Sequence, residues 1–320
     1  MPAVLWLSIT IILGTSGRLG SSTSGAVQPP PEATGRPHWV ESATIPWVGK
    51  ARDPRLKCAA AMVVDNKAGQ IVYARNVREV RPIASLTKLL TSLVFLESGT
   101  DLNQSVTITA DDAFESSRSR LRAGEVYSLD DLLHAALMAS DNRAARALSR
   151  SAGMPQARFI ARMNDRAHAL GMDSTYVIEP TGLSTENVST AYDCAILINA
   201  ALKNPLIAEI TATPEYTMTV LNKGRTNAIH STNRLLSTDL QFVGAKTGFI
   251  LAAGWCMAAR ALSPDGADVT AVVLGAPSSG QRFRSLRAAF QWAFGLLTPS
   301  HGTSQTTTTP QVRRLSRTGR

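Results

Sequence analysis

The sequence predicts a sandwich of α and β layers, in which one sheet is assembled from both ends of the folded region. Three observations support this fold class. An apolar, β-leaning pair of runs lies near each end of residues 46–297, and helical periodicity fills much of the region between them. Strands at both ends can share a single core only if they join in one sheet, with helices packed on it and a helical subdomain inserted.

The two strand pairs are each predicted to form a hairpin. The first comprises residues 59–64 and 70–74, separated by a turn-like Asn-Lys-Ala-Gly stretch. The second comprises residues 255–262 and 269–274, on either side of Ser-Pro-Asp-Gly.

Three helices are predicted from caps and apolar spacing. Ser128 followed by Asp131 has the pattern of a capping box in front of an apolar run. A second helix carries Phe159 and Met163 on one face and ends at Gly171. Residues 283–294 have the pattern of a last amphipathic helix.

Composition divides the chain into four predicted regions. Residues 1–26 resemble an export signal, with an apolar stretch at 3–14 and a small-x-small cleavage site at 24–26. Residues 27–45 are rich in proline and small polar residues, as in a linker. Residues 46–297 form the predicted catalytic domain, and 298–320 a disordered tail rich in threonine and arginine. The predicted location is therefore the periplasm.

Charge and cysteine content exclude several classes of function. The chain of 320 residues has a net charge of +9, but four arginines lie in its last eight residues, so the body is only mildly basic. No basic stripe is interleaved with aromatic residues, which argues against nucleic acid as a partner. Membrane contact is expected only through the signal or the basic tail. The three cysteines, at 58, 194 and 256, lie in apolar surroundings and are expected to be small buried hydrophobes rather than a disulfide framework.

No metal or cofactor is predicted. The five histidines, at 38, 134, 168, 230 and 301, have no metal-ligand spacing. His134 is expected to be packed in the core or to cap a helix.

The first chemical motif is Ser-x-x-Lys at Ser85 and Lys88. Residues three apart on a helix lie on one face, and the apolar run that follows predicts a buried helix starting here. A lysine desolvated at that position can be neutral and take the proton of the serine hydroxyl. Alone, the motif has a high false-positive rate and more often marks a helix-terminal serine and a surface lysine.

The second and third motifs are Ser-Asp-Asn from Ser140 to Asn142 and Lys-Thr-Gly from Lys246 to Gly248. In isolation, the former would be a helix cap and the latter a β-turn. In a cleft, Ser140 could relay a proton to a leaving amine, and Asn142 could hold an acyl amide. Lys246 and Thr247 could bind a carboxylate from a predicted edge strand, beside which a substrate adds as a further strand. Gly248 would permit its close approach.

The three motifs together indicate one catalytic apparatus for acyl transfer through a serine ester, because each occurs once, in the order and on the element that the mechanism requires. In that apparatus the amides of Ser85 and Phe249 would form the oxyanion hole.

The chain resembles the low-molecular-mass penicillin-binding proteins that are serine D,D-peptidases, and within them the D-alanyl-D-alanine endopeptidases. The resemblance covers about residues 56–297 and is carried by longer stretches around the motifs, at 80–84, 136–145, 169–172, 179–184 and 246–249. It implies a transpeptidase/β-lactamase-like fold with an antiparallel five-stranded sheet. It also implies peptidoglycan peptide stems as substrates and β-lactams as inhibitors.

The same resemblance assigns roles to the motif residues: Ser85 as the nucleophile, Lys88 as its proton acceptor, Ser140 as the relay and Lys246 as the carboxylate site. Class A β-lactamases need a carboxylate in a Glu-x-x-Leu-Asn setting to activate water, whereas Glu179 here begins Glu-Pro-Thr-Gly-Leu-Ser. A long-lived penicilloyl ester is therefore expected. Only about twenty residues follow the last predicted helix, which favours an endopeptidase over the carboxypeptidases that continue into a further β-rich domain. A D-alanyl-D-alanine carboxypeptidase is the alternative, and a murein- or β-lactam-binding sensor without turnover is a third hypothesis.

Overall fold

A five-stranded antiparallel sheet forms the centre of the computed structural model, which describes Trp39 and residues 53–114 and 119–297. These residues all belong to one compact unit, Gly35–Arg320, and the other unit, Met1–Thr34, lies outside them. The predicted signal and tail also lie outside the described residues, as does the linker apart from Trp39, whose ring packs edge-on against Tyr192.

The central strands are β1, β2, β9, β10 and β11, and the remaining six form three separate pairs. In chain order the strands are β1 (Ala60–Asp65), β2 (Gln70–Arg75), β3 (Arg81–Pro82), β4 (Ser105–Thr107), β5 (Val126–Ser128), β6 (Val188–Ser189), β7 (Glu215–Val220), β8 (Arg225–His230), β9 (Gln241–Ile250), β10 (Gly254–Leu262) and β11 (Asp268–Ala276).

Helices cover both faces of the sheet. In chain order they are α1 (Thr87–Glu97), α2 (Ala110–Ala113), α3 (Leu129–Leu137), α4 (Asn142–Arg150), α5 (Gln156–Ala169), α6 (Ala191–Ala201), α7 (Pro205–Ala212) and α8 (Ser279–Leu297), with short 3-10 helices at Ala84–Leu86 and Arg234–Ser237.

The strand order is β2-β1-β11-β10-β9, which confirms the sheet assembled from both ends of the folded region. Both predicted hairpins form, and they join where β1 pairs with β11, from Ala60 opposite Leu274 to Asp65 opposite Val269. Strand β9 lies at one edge of this sheet, and among the described strands only β10 pairs with it.

Strand β1 is buried on both faces, which explains its uninterrupted apolar sequence. Ala60, Met62 and Val64 belong to the core on the side of α1 and α6. Ala61 and Val63 belong to the second core, beneath α8. The sheet therefore lies between two apolar layers.

The predicted capping box at Ser128 is only half formed. The Ser128 hydroxyl accepts a hydrogen bond from the Asp131 amide at 3.0 Å, as predicted. The Asp131 carboxylate instead accepts hydrogen bonds from the Tyr216 hydroxyl at 3.0 Å and the Thr219 amide at 3.1 Å. The prediction of a reciprocal box was wrong because this carboxylate ties α3 to β7.

The predicted helical middle of the chain is interrupted by three strand pairs, β3–β6, β4–β5 and β7–β8. Two of these pairs consist of two- or three-residue strands, which are too short to show a periodicity. In β7 only Met218 and Val220 are buried, among polar residues that face outwards.

Helix α5 has Phe159 and Met163 buried as predicted, and the chain leaves it through Gly171 at φ +80°. Helix α8 is longer at both ends than the predicted 283–294. All three cysteines are free; Cys194 and Cys256 are buried as expected, whereas Cys58 is partly exposed.

Among the described helices, no single one is long and apolar enough to cross a membrane. The pair α6 and α7, bent by 107°, meets the length and composition test only when its members are taken together.

Candidate active site

The nucleophile predicted from Ser-x-x-Lys lies in the 3-10 turn that leads into α1. This turn follows Pro82 and contains Ala84 in the left-handed region at φ +49°, a conformation that is uncommon for a residue other than glycine. Lys88 lies in the first turn of α1, and its Nζ is 3.0 Å from Ser85 Oγ. Sequence and structure agree on this pair, except that the serine precedes the α-helix rather than beginning it.

Lys88 is completely buried, and carbonyl oxygens hold its amine. Its Nζ donates to Asn142 Oδ1 at 2.7 Å and to the Thr181 carbonyl oxygen at 2.6 Å. Burial lowers the pKa of Lys88 to about 7, because the charged form loses its hydration. The negative charges of Glu179 and Asp141 oppose this shift, and the positive charge of Arg146 adds to it.

The Ser-Asp-Asn motif lies at the junction of α3 and α4, and each of its residues makes different contacts. Asp141 is the N-cap of α4 and accepts the amides of Arg143 at 2.9 Å and Ala144 at 3.2 Å. The other two residues contact the lysines: Ser140, at φ +59°, accepts a hydrogen bond from Lys246, and Asn142 accepts one from Lys88. The predicted helix cap is confirmed at Asp141, whereas the roles predicted for Ser140 and Asn142 in substrate turnover stay predictions.

The Lys-Thr-Gly motif lies on β9, the edge strand predicted for it. Lys246 is 1% exposed, and its Nζ donates to Ser140 Oγ at 2.8 Å and to the Thr247 carbonyl oxygen at 3.0 Å. Burial, with the positive charges of Lys88 and Arg282, holds the pKa of Lys246 well below its ordinary value. Two amines and two hydroxyls from distant parts of the sequence thus meet in one cleft.

Gly248 brings the edge strand against the nucleophile turn. A Cβ at this position would lie 3.0 Å from the Ile83 carbonyl oxygen and 3.1 Å from the Ser85 amide nitrogen. The sequence predicts close approach of a substrate here, but the closest neighbour in the structure is the turn that carries Ser85. The Phe249 side chain, 43% exposed, stacks on Trp255 with ring centroids 4.0 Å apart.

The loop after Glu179 also contributes to the candidate site, through a contact with Lys88 that the sequence did not predict. The Glu179 carboxylate accepts hydrogen bonds from the amides of Thr181 at 2.7 Å and Gly182 at 2.5 Å, and from Asn187 Nδ2 at 3.1 Å. Gly182, at φ +81°, has no room for a side chain because a Cβ there would overlap the Ala84 carbonyl oxygen. The carboxylate is therefore occupied in holding the loop that supplies the Thr181 carbonyl to Lys88.

Two other residues missed from the sequence support β9. Arg282 of α8 is 4% exposed and donates from Nη1 to the carbonyl oxygens of Gly248 at 3.2 Å and Cys256 at 3.4 Å. Thr232 accepts a hydrogen bond from the Thr247 hydroxyl at 2.6 Å. Neither residue belongs to a local motif, so the sequence offered no signal for it.

Within residues 53–114 and 119–297, no group of three or more histidine, cysteine or acidic residues could hold a metal ion. His134 stacks on Tyr216 with ring centroids 3.7 Å apart, and its Nδ1 lies 2.9 Å from the Asp130 carbonyl oxygen, which confirms that it is packed.

The chain is similar to known enzymes along most of its length. The family model of D-alanyl-D-alanine carboxypeptidases, peptidase family S11, matches residues 48–278. A D-alanyl-D-alanine endopeptidase of Pseudomonas aeruginosa is 36% identical over 256 residues, which are 79% of this chain and 82% of that protein. The Escherichia coli protein of the same description is 38% identical over 213 residues, 66% of this chain and 69% of that one.

A solved structure is similar as well. The DD-transpeptidase of Streptomyces K15 superposes with a TM-score of 0.71 at 26% sequence identity, covering 76% of this chain and 99% of that one.

Proposed function

Because the chain belongs to the S11 family of serine D,D-peptidases, we propose that it is a D-alanyl-D-alanine endopeptidase that cleaves D-alanyl–diaminopimelate cross-links in peptidoglycan. The observation that carries the proposal is the arrangement around Lys88. Both of its carbonyl partners can only accept hydrogen bonds, so a neutral amine donates its two protons to them and directs its lone pair at Ser85 Oγ.

In the first step, Lys88 takes the proton of Ser85 while Oγ attacks the carbonyl carbon of the D-alanine. The oxygen of that carbonyl becomes negatively charged, and the amides of Ser85 and Phe249 stabilise it. The contact between β9 and the Ser85 turn supports this pairing of amides, because it brings the two backbone segments together.

In the second step the C–N bond breaks and the leaving amine needs a proton. Ser140 Oγ accepts a hydrogen bond from Lys246, which leaves its own hydroxyl proton free to be donated to that amine. The proton that Lys88 took from Ser85 then replaces the one that Ser140 donated, so that Lys88 is again neutral and Ser140 again a hydroxyl. Lys246 and Thr247 bind the carboxylate beside the scissile bond. Water then hydrolyses the acyl-serine ester and restores the enzyme.

We expect benzylpenicillin to form a long-lived ester with Ser85. Class A β-lactamases use a carboxylate to activate the water for deacylation, whereas the Glu179 carboxylate here is occupied by loop amides. Intact-protein mass spectrometry after mixing should show the penicilloyl adduct persisting for many enzyme turnover times. Rapid return to the unmodified mass, with penicilloate released, contradicts this expectation.

The deciding experiment is digestion of purified sacculi. The wild type should convert dimeric muropeptides to monomers, the Ser85→Ala variant should not, and the Ser237→Ala variant should behave as wild type. Ser237 is the matched control because its hydroxyl binds only the nearby Arg234 carbonyl, outside the cleft. Unchanged dimers in the presence of wild-type protein contradict the proposal.

The carboxypeptidase alternative is favoured by the description of the family model. Both substrates present a D,D-amide next to a free carboxylate, so the same digestion separates them: a carboxypeptidase shortens pentapeptide stems and leaves the dimers intact. A sensor without turnover would be labelled by a fluorescent penicillin and release no product.

We also propose a periplasmic location, with residues 1–26 as the export signal, 27–45 as a linker, 46–297 as the catalytic domain and 298–320 as a tail. The composition of these regions supports the proposal. Cell fractionation should find the full chain in the periplasm and a chain lacking residues 2–26 in the cytoplasm. Equal distribution of both contradicts it.

A further inference from the structure

Thr232 connects the end of α3, at Met138, with strand β9, at Thr247, through hydrogen bonds that have a defined direction. Its backbone amide donates to the Met138 carbonyl oxygen at 2.9 Å, and its hydroxyl donates to the same oxygen at 3.1 Å. The hydroxyl oxygen in turn accepts a hydrogen bond from Thr247 at 2.6 Å. Because a carbonyl can only accept, the sequence of donors runs from Thr247 through Thr232 to Met138.

This direction conflicts with the role proposed for Thr247. To bind a substrate carboxylate, Thr247 must donate its hydroxyl proton to that carboxylate, yet in the free enzyme it donates the proton to Thr232. A hydrogen bond to a charged acceptor is the stronger of the two, so an arriving carboxylate withdraws the proton of Thr247 from Thr232.

Thr232 makes two hydrogen bonds to the Met138 carbonyl oxygen, one from its amide and one from its hydroxyl, and this duplication resolves the conflict. Since the Thr232 amide already satisfies the Met138 carbonyl oxygen, the Thr232 hydroxyl can turn away from it without leaving a buried acceptor unpaired. It can then donate to Thr247 Oγ1, and this bond polarises the Thr247 hydroxyl toward the carboxylate.

We propose that Thr232 is a positioning residue for the substrate carboxylate, which reverses its hydrogen bond with Thr247 when the substrate binds. In the free enzyme Thr247 donates to Thr232, and in the complex Thr232 donates to Thr247, which donates to the carboxylate. This inference rests on the proposed function, because it takes Thr247 to be a carboxylate ligand.

The test is steady-state cleavage of a purified dimeric muropeptide by the Thr232→Val and Thr232→Ser variants. Valine keeps the shape of threonine and removes the hydroxyl, so KM should rise about tenfold while kcat stays within about twofold of wild type. Serine keeps the hydroxyl and should restore KM to near the wild-type value. Thr238→Val is the matched control, because the Thr238 hydroxyl donates only to the Leu235 carbonyl, in the same segment.

The split between KM and kcat separates positioning from a merely structural effect. A lower kcat with unchanged KM would show that Thr232 acts on Ser140 through Met138, and wild-type values for both would show that its hydroxyl does nothing; either result overturns the inference. Should the valine variant melt below the assay temperature, Thr232→Ala gives the same comparison with a smaller side chain. A wild type that cleaves no dimer refutes the proposed function and this inference with it, whereas an active wild type with an unaltered valine variant refutes this inference alone.

Discussion

At the scale of single residues, burial lowers the pKa of a lysine that we propose to be the general base. Lys88 has no exposed surface and lies beside three oxygen atoms, those of Ser85, Asn142 and Thr181. An ammonium group loses its hydration there, and the neutral form becomes accessible at physiological pH. A neutral lysine 3.0 Å from Ser85 Oγ is what the proposed mechanism requires of its general base.

The pKa of about 7 for Lys88 predicts how acylation depends on pH. The neutral amine is the active form, so the rate constant for acylation by benzylpenicillin should increase with pH and level off above a midpoint near 7. Stopped-flow measurement between pH 5 and 9, at about one-unit steps, tests this. A rate that is constant across this range contradicts the assignment of Lys88 as the base.

Two neighbouring charges should move that midpoint in opposite directions. Glu179 raises the pKa of Lys88 and Arg146 lowers it. Glu179→Gln should therefore shift the pH profile to lower pH, and Arg146→Gln should shift it to higher pH, even where the maximal rate falls. The two variants control for each other, and shifts in the same direction would contradict this electrostatic account.

At the scale of secondary-structure elements, the site depends on contact between β9 and the turn before α1. Gly248 provides that contact because its missing side chain leaves space for Ile83 and Ser85. Arg282 holds the same strand from α8 through the Gly248 carbonyl. In the proposed mechanism, the distance between these two backbone segments sets the geometry of the oxyanion hole.

Gly248→Ala should separate these segments. The added methyl group has to displace backbone atoms 3.0–3.1 Å away, and we expect the acylation rate constant to fall by at least about tenfold in a folded protein. Measurement of penicillin acylation together with a thermal melt tests this.

Gly295→Ala is the matched control for that variant. Gly295 lies within α8, and nothing is within 4 Å of its added Cβ. We expect wild-type acylation and a gain of about 0.5–1 kcal/mol in the free energy of unfolding, because alanine is the better helix former. Equal acylation by the two variants contradicts the proposed role of the contact.

At the scale of the whole molecule, the sheet has a core on each side, and the core on the face opposite α1 depends on α8. Phe290 lies at the centre of that layer, fully buried and in edge contact with Phe242 of β9, with ring centroids 5.9 Å apart. Loss of this packing should destabilise the sheet. Because Phe242 belongs to β9, it should also disturb the strand that carries Lys246.

Phe290→Ala should lower the free energy of unfolding by about 3–5 kcal/mol, since it removes a buried ring and leaves a cavity. Urea denaturation followed by circular dichroism measures it. Leu221→Ala, at a side chain 48% exposed, is the control and should change stability by less than about 0.5 kcal/mol. If Phe290→Ala lowered the free energy of unfolding as little as the control does, α8 would contribute little to the stability of the core.

The sequence by itself determined the class of fold and predicted the residues of the candidate site. Ser85, Lys88, Ser140 and Lys246 could be found because each belongs to a motif of three or four consecutive residues. Such a motif can be recognised in the sequence without knowledge of the fold. The two hairpins could be found for the same reason, since an apolar run with a turn is a local signal. The short pairs β3–β6 and β4–β5 could not, because two or three residues show no periodicity.

Only the tertiary structure decided what surrounds those residues. The Thr181 carbonyl that binds Lys88 is a backbone group, which any residue could provide, and Thr232 and Arg282 reach the site across long separations in sequence. The pKa of Lys88, the space that Gly248 leaves and the direction of the hydrogen bond at Thr247 depend on burial and on contacts between distant segments. Such contacts form only when distant segments pack against each other. No short sequence motif marks them, so they could not be predicted from the sequence.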